Sequence, residues 1–155
     1  MQQHIVRTNG RGRSNALSIQ EDRAQIVCSV NPARILIVDS DIGSATALEN
    51  MLHAWGYSQT RVAYSGHAAL AIAGEFEPSM ALLELDLLDM SGYELASGLR
   101  GHARRQRLRL IALTSVPEHA GRELARLAGF ERYLLKPVAP FHLQELLSIR
   151  HEAAK

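Results

Sequence analysis

Met80-Ala-Leu-Leu is an unbroken apolar run that stops at Glu84. A strand that is apolar at every position, rather than at alternate ones, is covered on both faces. That is the mark of a parallel sheet enclosed by helices. Asp86, Asp89 and Ser91-Gly92 follow directly. Open α/β sheets bind ligands and react at the carboxyl ends of their strands, so a carboxylate at this point marks a functional edge.

The rest of the ordered chain repeats the theme. Arg34-Ile-Leu-Ile-Val38 is a second strand of central type, ended by Asp39-Ser40-Asp41. Ile42, Ala45, Leu48, Met51, Leu52 and Trp55 then recur at helical spacing until Gly56. A short strand covers Gln59 to Ala63, and Ser65 caps a helix carrying Ala69, Ile72, Ala73 and Phe76 that ends near Pro78. After the Met80 strand come a short helix, Tyr93 to Arg100, and a strand, Leu108 to Thr114. Pro117-Glu118 opens a helix with Leu124, Leu127 and Ala128 on one face, closed by Gly129. Arg132 to Leu135 is the last strand, and Ala139-Pro140 starts a helix with Phe141, Leu143, Leu146, Leu147 and Ile149 on its apolar face. Connections this short leave only right-handed crossovers. The expected fold is α/β, a five-stranded parallel sheet that is doubly wound and flavodoxin-like, with strand order 2-1-3-4-5.

The 155 residues allow one domain and a tail. Residues 1–32 are polar and dotted with Gly and Asn, which predicts a flexible N-terminal leader ahead of a domain over 33–155. A helix from Ser18 to Val27 within the leader has Ser18 and Glu21 as a capping box. A formal charge of +1 supplies no general attraction to nucleic acid or anionic membrane. The single Cys28 excludes an intramolecular disulfide and makes the cytoplasm the expected compartment. No apolar run approaches the roughly 18 residues that span a bilayer.

Collecting the residues at the strand ends gives Asp39, Ser40 and Asp41 from the first strand and Glu84 and Asp86 from the third. The fourth strand adds Thr114-Ser115 and the fifth Lys136-Pro137. In the doubly wound order these strands are neighbours, so the side chains converge on one pocket. Carboxylates, a hydroxyl and an ammonium suit a hard divalent cation and a phosphoryl group.

The motifs Ile-Leu-Ile-Val-Asp39, Leu-Leu-Glu84 and Met90-Ser-Gly-Tyr-Glu-Leu95 resemble those of a receiver domain of bacterial two-component response regulators. Leu-Ile-Ala-Leu-Thr114 and Ala-Gly-Phe130 through Leu-Leu-Lys136-Pro137 complete the likeness, which covers Arg34 to about Ile149. The resemblance implies that a histidine kinase passes a phosphoryl group to an Asp at the end of the third strand. It implies that acids on the first strand help hold Mg²⁺, that Thr114 and Lys136 contact the phosphoryl group, and that Tyr133 is the aromatic switch. Three positions depart from the family pattern. Ser40 replaces the second acid, Leu88 a loop proline, and Glu84 the phosphoacceptor Asp.

Glu is one methylene longer than Asp, which displaces its carboxylate by about 1.5 Å. A misplacement near 1 Å costs on the order of 10²-fold in rate. With Ser40 in the acid's place, Asp39, Glu84 and Asp86 remain as metal ligands, so Mg²⁺ binding is expected to be weak or absent. The expected function is an atypical stand-alone receiver in two-component or phosphorelay signalling, not an enzyme, in which Glu84 either imitates the phosphorylated state or leaves a phosphorylation-blind scaffold. Residual phosphoryl acceptance and a small flavodoxin-like ligand-binding protein or enzyme are the alternatives. The partner implied is a histidine kinase, a phosphotransfer protein or a downstream regulator, met through the fourth helix, fifth strand and fifth helix, with a homodimer left open. The run Arg100, Arg104, Arg105, Arg107, Arg109 with His102 lacks interleaved aromatics and is read as a solvated connection, so neither nucleic acid nor membrane is expected.

Overall fold

The computed structural model describes residues 33–103 and 107–149. The leader over 1–32, its Ser18–Val27 helix, Cys28, and Arg104 and Arg105 of the basic run lie outside these residues.

Strands and helices alternate throughout: β1 (Ile35–Val38), α1 (Ile42–Ala54), β2 (Thr60–Ala63), α2 (Gly66–Phe76), β3 (Met80–Leu83), α3 (Gly92–His102), β4 (Arg109–Thr114), α4 (Glu118–Leu127), β5 (Arg132–Leu135) and α5 (Pro140–Ser148). All strand pairs are parallel, in the order β2-β1-β3-β4-β5, as expected. The apolar runs explain the order. Ile35, Leu36, Ile37, Leu82 and Leu83 are each no more than 1% exposed, as only central strands allow. Burying a side chain of this size contributes about 1.5–3 kcal/mol. β5, half-exposed along its length, forms an edge.

Strand periodicity divides the core into two layers. Leu36, Val38, Ala81, Leu83, Leu110 and Ala112 face α2, α3 and α4, whose Ala69, Ala73, Leu95, Leu99 and Ala125 complete that side. Ile35, Ile37, Met80, Leu82, Ile111 and Leu113 face α1 and α5 through Ala45, Leu52, Leu143 and Leu147. α1 and α4 are followed by Gly56 and Gly129 at φ +92° and +88°, a region that favours glycine.

β3 ends at Leu83, which makes Glu84 the first residue beyond the strand. Several expectations are corrected. On α4 Gly121 and Ala125 are buried, while Leu124 and Leu127 are exposed. On α5 only Leu143 and Leu147 are buried, and Phe141 is 71% exposed. Arg109 is no part of a solvated connection. It lies in β4, its Nε 2.9 Å from Glu131, and its guanidinium donates to the carbonyls of Leu146 and Ile149.

Candidate functional site

Strand register builds the site. Val38 pairs with Leu83, so Asp39 and Glu84, the next residues on each chain, emerge side by side from the end of the sheet. Thr114, the last residue of β4, pairs with Leu135, which brings Lys136 in from the other side. The Lys136–Pro137 peptide bond is cis. Asp39, Ser40, Asp41, Glu84, Asp86 and Lys136 all line one pocket of about 490 Å³, so the residues collected from the strand ends do meet. A second open pocket of about 570 Å³ shares Asp39, Glu84 and Lys136 with it and is lined further by Leu48 and Met51 of α1 and by Leu113 and Leu143.

Glu84 is the centre of the hydrogen-bond network. Its Oε1 accepts from the Thr114 hydroxyl at 2.6 Å and from its own loop's amides, Leu85 at 2.8 Å and Asp86 at 3.2 Å. Its Oε2 lies 2.9 Å from Lys136 Nζ, which also donates to Asp39 Oδ2 at 2.6 Å. Asp39 Oδ1 accepts from the Asp41 amide at 2.9 Å. The extra methylene of Glu84 thus lets the carboxylate fold back onto its own loop and still reach Thr114 and Lys136.

Burial opposes ionisation of Glu84, but hydrogen bonds from Thr114, Lys136 and the Asp86 amide outweigh it and hold the carboxyl below its ordinary value. Burial likewise works against the Lys136 ammonium, and the carboxylates of Asp39 and Glu84 more than offset it, raising its value. Glu84 and Lys136 are therefore a charged pair at neutral pH. Among the described residues no buried side-chain polar atom lacks a partner.

The network continues toward the edge of the sheet. Thr114 Oγ1 also accepts from the Val116 amide at 3.2 Å, and the Val116 carbonyl accepts from the Tyr133 hydroxyl at 2.6 Å. A continuous path thus joins Glu84 to Tyr133, which is half-buried rather than swung out to solvent.

The residues present do not fit Mg²⁺. An octahedral oxygen site needs carboxylates with free lone pairs. Here Asp41 spends Oδ1 on capping α1 through the Ser44 amide at 2.6 Å, and Ser40 offers no charge. Asp39 and Glu84 face the Lys136 ammonium, and the Asp86 side chain is exposed. Among the described residues no group of three or more His, Cys, Asp or Glu side chains is arranged to hold a metal.

Sequence reasoning missed what secures the loop after Glu84. Asp89 accepts from the amides of Gly66 and His67 at 2.9 Å each and lies 2.6 Å from His67 Nδ1. A Cβ at Gly66 would stand 2.4 Å from the Met90 side chain, which would have to shift. The loop that has Leu88 in place of proline is therefore fastened to the first turn of α2. These amide bonds hold the Asp89 carboxyl well below the usual range. No local pattern announces a cap reaching across from another loop. The Ser91-x-x-Glu94 capping box that starts α3, by contrast, is a readable signal. Asp89→Ala should speed amide exchange at Gly66 and His67 by roughly five- to tenfold, the usual scale of a lost helix cap. Exchange measured by NMR that stays unchanged there would show that the loop is held by packing alone.

Comparison with known proteins places this geometry in context. A family model for the response regulator receiver domain matches residues 35–148. The transcriptional regulatory protein ZraR of Salmonella typhimurium is 32% identical over 113 residues, 73% of this chain and 25% of ZraR. The chain thus spans about a quarter of that relative's length. The uncharacterized 14.6 kDa protein in the sodA1 3′ region of Leptolyngbya boryana is 33% identical over 73% of this chain and 86% of its own length. The crystal structure of a CheY-like receiver domain protein from Methanospirillum hungatei JF-1 superposes with a TM-score of 0.67 at 30% identity, covering 74% of this chain and 90% of that one. Among the described residues no helix is long and apolar enough to cross a membrane.

Proposed function

The chain belongs to the response regulator receiver family of two-component signalling, and on that premise we propose that Glu84 holds its switch in the engaged arrangement without a phosphoryl group. The observation that carries the reading is the Glu84 carboxylate, bonded at once to Thr114 and Lys136, the residues that the family resemblance assigns to phosphoryl contact. The hydroxyl drawn onto Glu84 carries the Val116 segment with it, and Tyr133 closes onto the Val116 carbonyl. A ligand or modification shifts a two-state element only through differential contacts, and a fixed side chain making those contacts shifts it permanently.

The same geometry disfavours phosphoryl transfer. Glu84 Oε1 already accepts three hydrogen bonds and Oε2 faces an ammonium, so neither oxygen is poised as a nucleophile. We assign the signalling role to residues 33–155, the receiver domain. Output runs through protein contact at α4, β5 and α5, where Leu124, Leu127, Leu135 and Phe141 are all more than half exposed. Large apolar side chains grouped on exposed elements mark a surface that another protein covers. The occupant is a protein of the same signalling pathway, with a second copy of this chain as the alternative result of a pull-down.

Incubation with radiolabelled acetyl phosphate and Mg²⁺ tests the reading. The natural chain should acquire no stable label, and Glu84→Asp should label at least on the order of 10²-fold faster. Stable phosphate on the natural chain would overturn the proposal. Glu84→Ala should release Tyr133, read as a change in its ring resonances. An unchanged Tyr133 would leave a scaffold whose state is independent of Glu84.

A further inference from the structure

Gly121 lies buried in the first turn of α4, with two tyrosine hydroxyls against it. A Cβ built there would stand 2.7 Å from the Tyr93 hydroxyl and 3.1 Å from that of Tyr133. Each hydroxyl donates to a backbone carbonyl at this end of α4, Tyr133 to Val116 just before the helix and Tyr93 to Gly121 in its first turn at 3.2 Å. The Tyr93 ring is fixed from the side by Phe130, edge to face at 6.3 Å and 89°. Burial raises the Tyr93 phenol, so it remains a donor across the neutral range.

Tyr93 comes from the segment that carries Glu84. Its neighbour Gly92 donates to the Leu85 carbonyl at 2.8 Å, and a Cβ on Gly92 would stand 2.6 Å from Leu85 Cα and 2.9 Å from the Glu84 carbonyl. The start of α3 is thus pressed directly onto the backbone of Glu84 and Leu85. Two routes therefore lead from Glu84 to α4. One passes through Thr114, Val116 and Tyr133; the other passes through Leu85, Gly92 and Tyr93.

We propose that Tyr93 and Gly121 are positioning residues for α4: the Tyr93 hydroxyl latches the Gly121 carbonyl, and the missing side chain at Gly121 lets both tyrosines close on the helix. The exposed Leu124 and Leu127 ride on that helix, so the latch sets the height of the surface offered to a partner. This rests on the reading of α4 as part of the output face. The second route uses groups that the Thr114–Tyr133 path does not, and it holds α4 from the α3 side.

The test is a double-mutant cycle read without a partner, by amide hydrogen exchange across α4 and by the Tyr133 ring resonances. Tyr93→Phe keeps the ring and removes only the hydroxyl, and it should speed exchange in α4 about fivefold. Gly121→Ala should speed it and displace the Tyr133 ring, because a methyl group must push a hydroxyl aside, a cost expected to outweigh the preference of a helix for Ala over Gly. Adding Tyr93→Phe to Gly121→Ala removes the closer obstruction and should return Tyr133 toward its natural position. A double variant worse than both single ones by the product of their effects would overturn the latch, as would α4 exchange that ignores Tyr93→Phe. Should Gly121→Ala fail to fold, the single hydroxyl deletion decides the matter, with amide exchange in β1 and β3 reporting whether the core is intact. A response of α4 to Tyr93→Phe, together with a Tyr133 ring indifferent to Glu84→Ala, would keep the latch and discard the Glu84 reading.

Discussion

Lys136→Met should cost the domain about 3–5 kcal/mol in a urea titration at neutral pH, the range for removing one partner of a buried charge pair. Methionine keeps the hydrocarbon stem and deletes the ammonium, so packing is largely preserved and the loss reports charge. The two carboxylates that the ammonium separates have side chains 10% and 9% exposed, at Asp39 and Glu84. Without Lys136 they face each other in a poorly solvated site, and one must take up a proton or draw in water. The Lys136 side chain is itself 26% exposed, which screens the pair and places the expected loss toward the lower end of the range. Combining Lys136→Met with Glu84→Gln removes the repulsion together with the attraction. The double variant should therefore be more stable than the sum of the two single losses predicts, by at least about 1 kcal/mol. A Lys136→Met loss under about 1 kcal/mol would mean that the cluster behaves as a surface ion pair and that Glu84 is not held by it.

What was legible in the sequence and what was not follow from how each feature is encoded. The central strands declare themselves because Ile35 to Val38 and Met80 to Leu83 are apolar without interruption, and the site follows because each strand ends in a polar side chain on the same edge. Asp39, Glu84, Thr114 and Lys136 needed only the strand order to be brought together. Helix faces were harder to read. Leu124, Leu127 and Phe141 recur at helical spacing, and spacing cannot distinguish a face that meets the core from one that meets another protein. The residues that pack α4 inward, Gly121 and Ala125, carry too little apolar surface to register in such a pattern. Asp41 does line the pocket it was assigned to, but its carboxylate also caps α1, and Asp89, assigned no role in the sequence, caps α2. Asp89 caps a helix that begins 23 positions earlier in the chain, a pairing no window of local sequence contains. Arg109 was hidden by its neighbours in a basic run, and only β5 and α5 supply its partners.

Acid should unmask Glu84 as a stabilising charge, and alkali should do the same for Lys136. The Glu84 carboxyl is held below its ordinary value of 4.5 in the folded chain. Its contribution is therefore complete above that value and is lost as the pH falls through the lower folded value, because the unfolded chain binds the proton first. Lys136 is raised above its ordinary value of 10.5, so its contribution is complete below that value and disappears as the pH climbs through the higher folded one. Between these limits the pair should give a flat stability profile. In acid, Asp41 and Asp89 are also depressed and add to the slope, so Glu84 must be isolated by difference. Glu84→Gln keeps an acceptor for Thr114 and removes the titrating charge. At neutral pH the variant should be less stable by about 1.5–3 kcal/mol, the scale of a hydrogen bond to a charged group. That gap should narrow steadily below pH 4.5 and close once Glu84 is protonated in both states of the natural chain. Parallel curves from neutrality down into acid would place Glu84 outside the charged network. A gap that closes while Tyr133 loses its ordered ring resonances over the same pH window would instead tie the charge on Glu84 to the position of the switch.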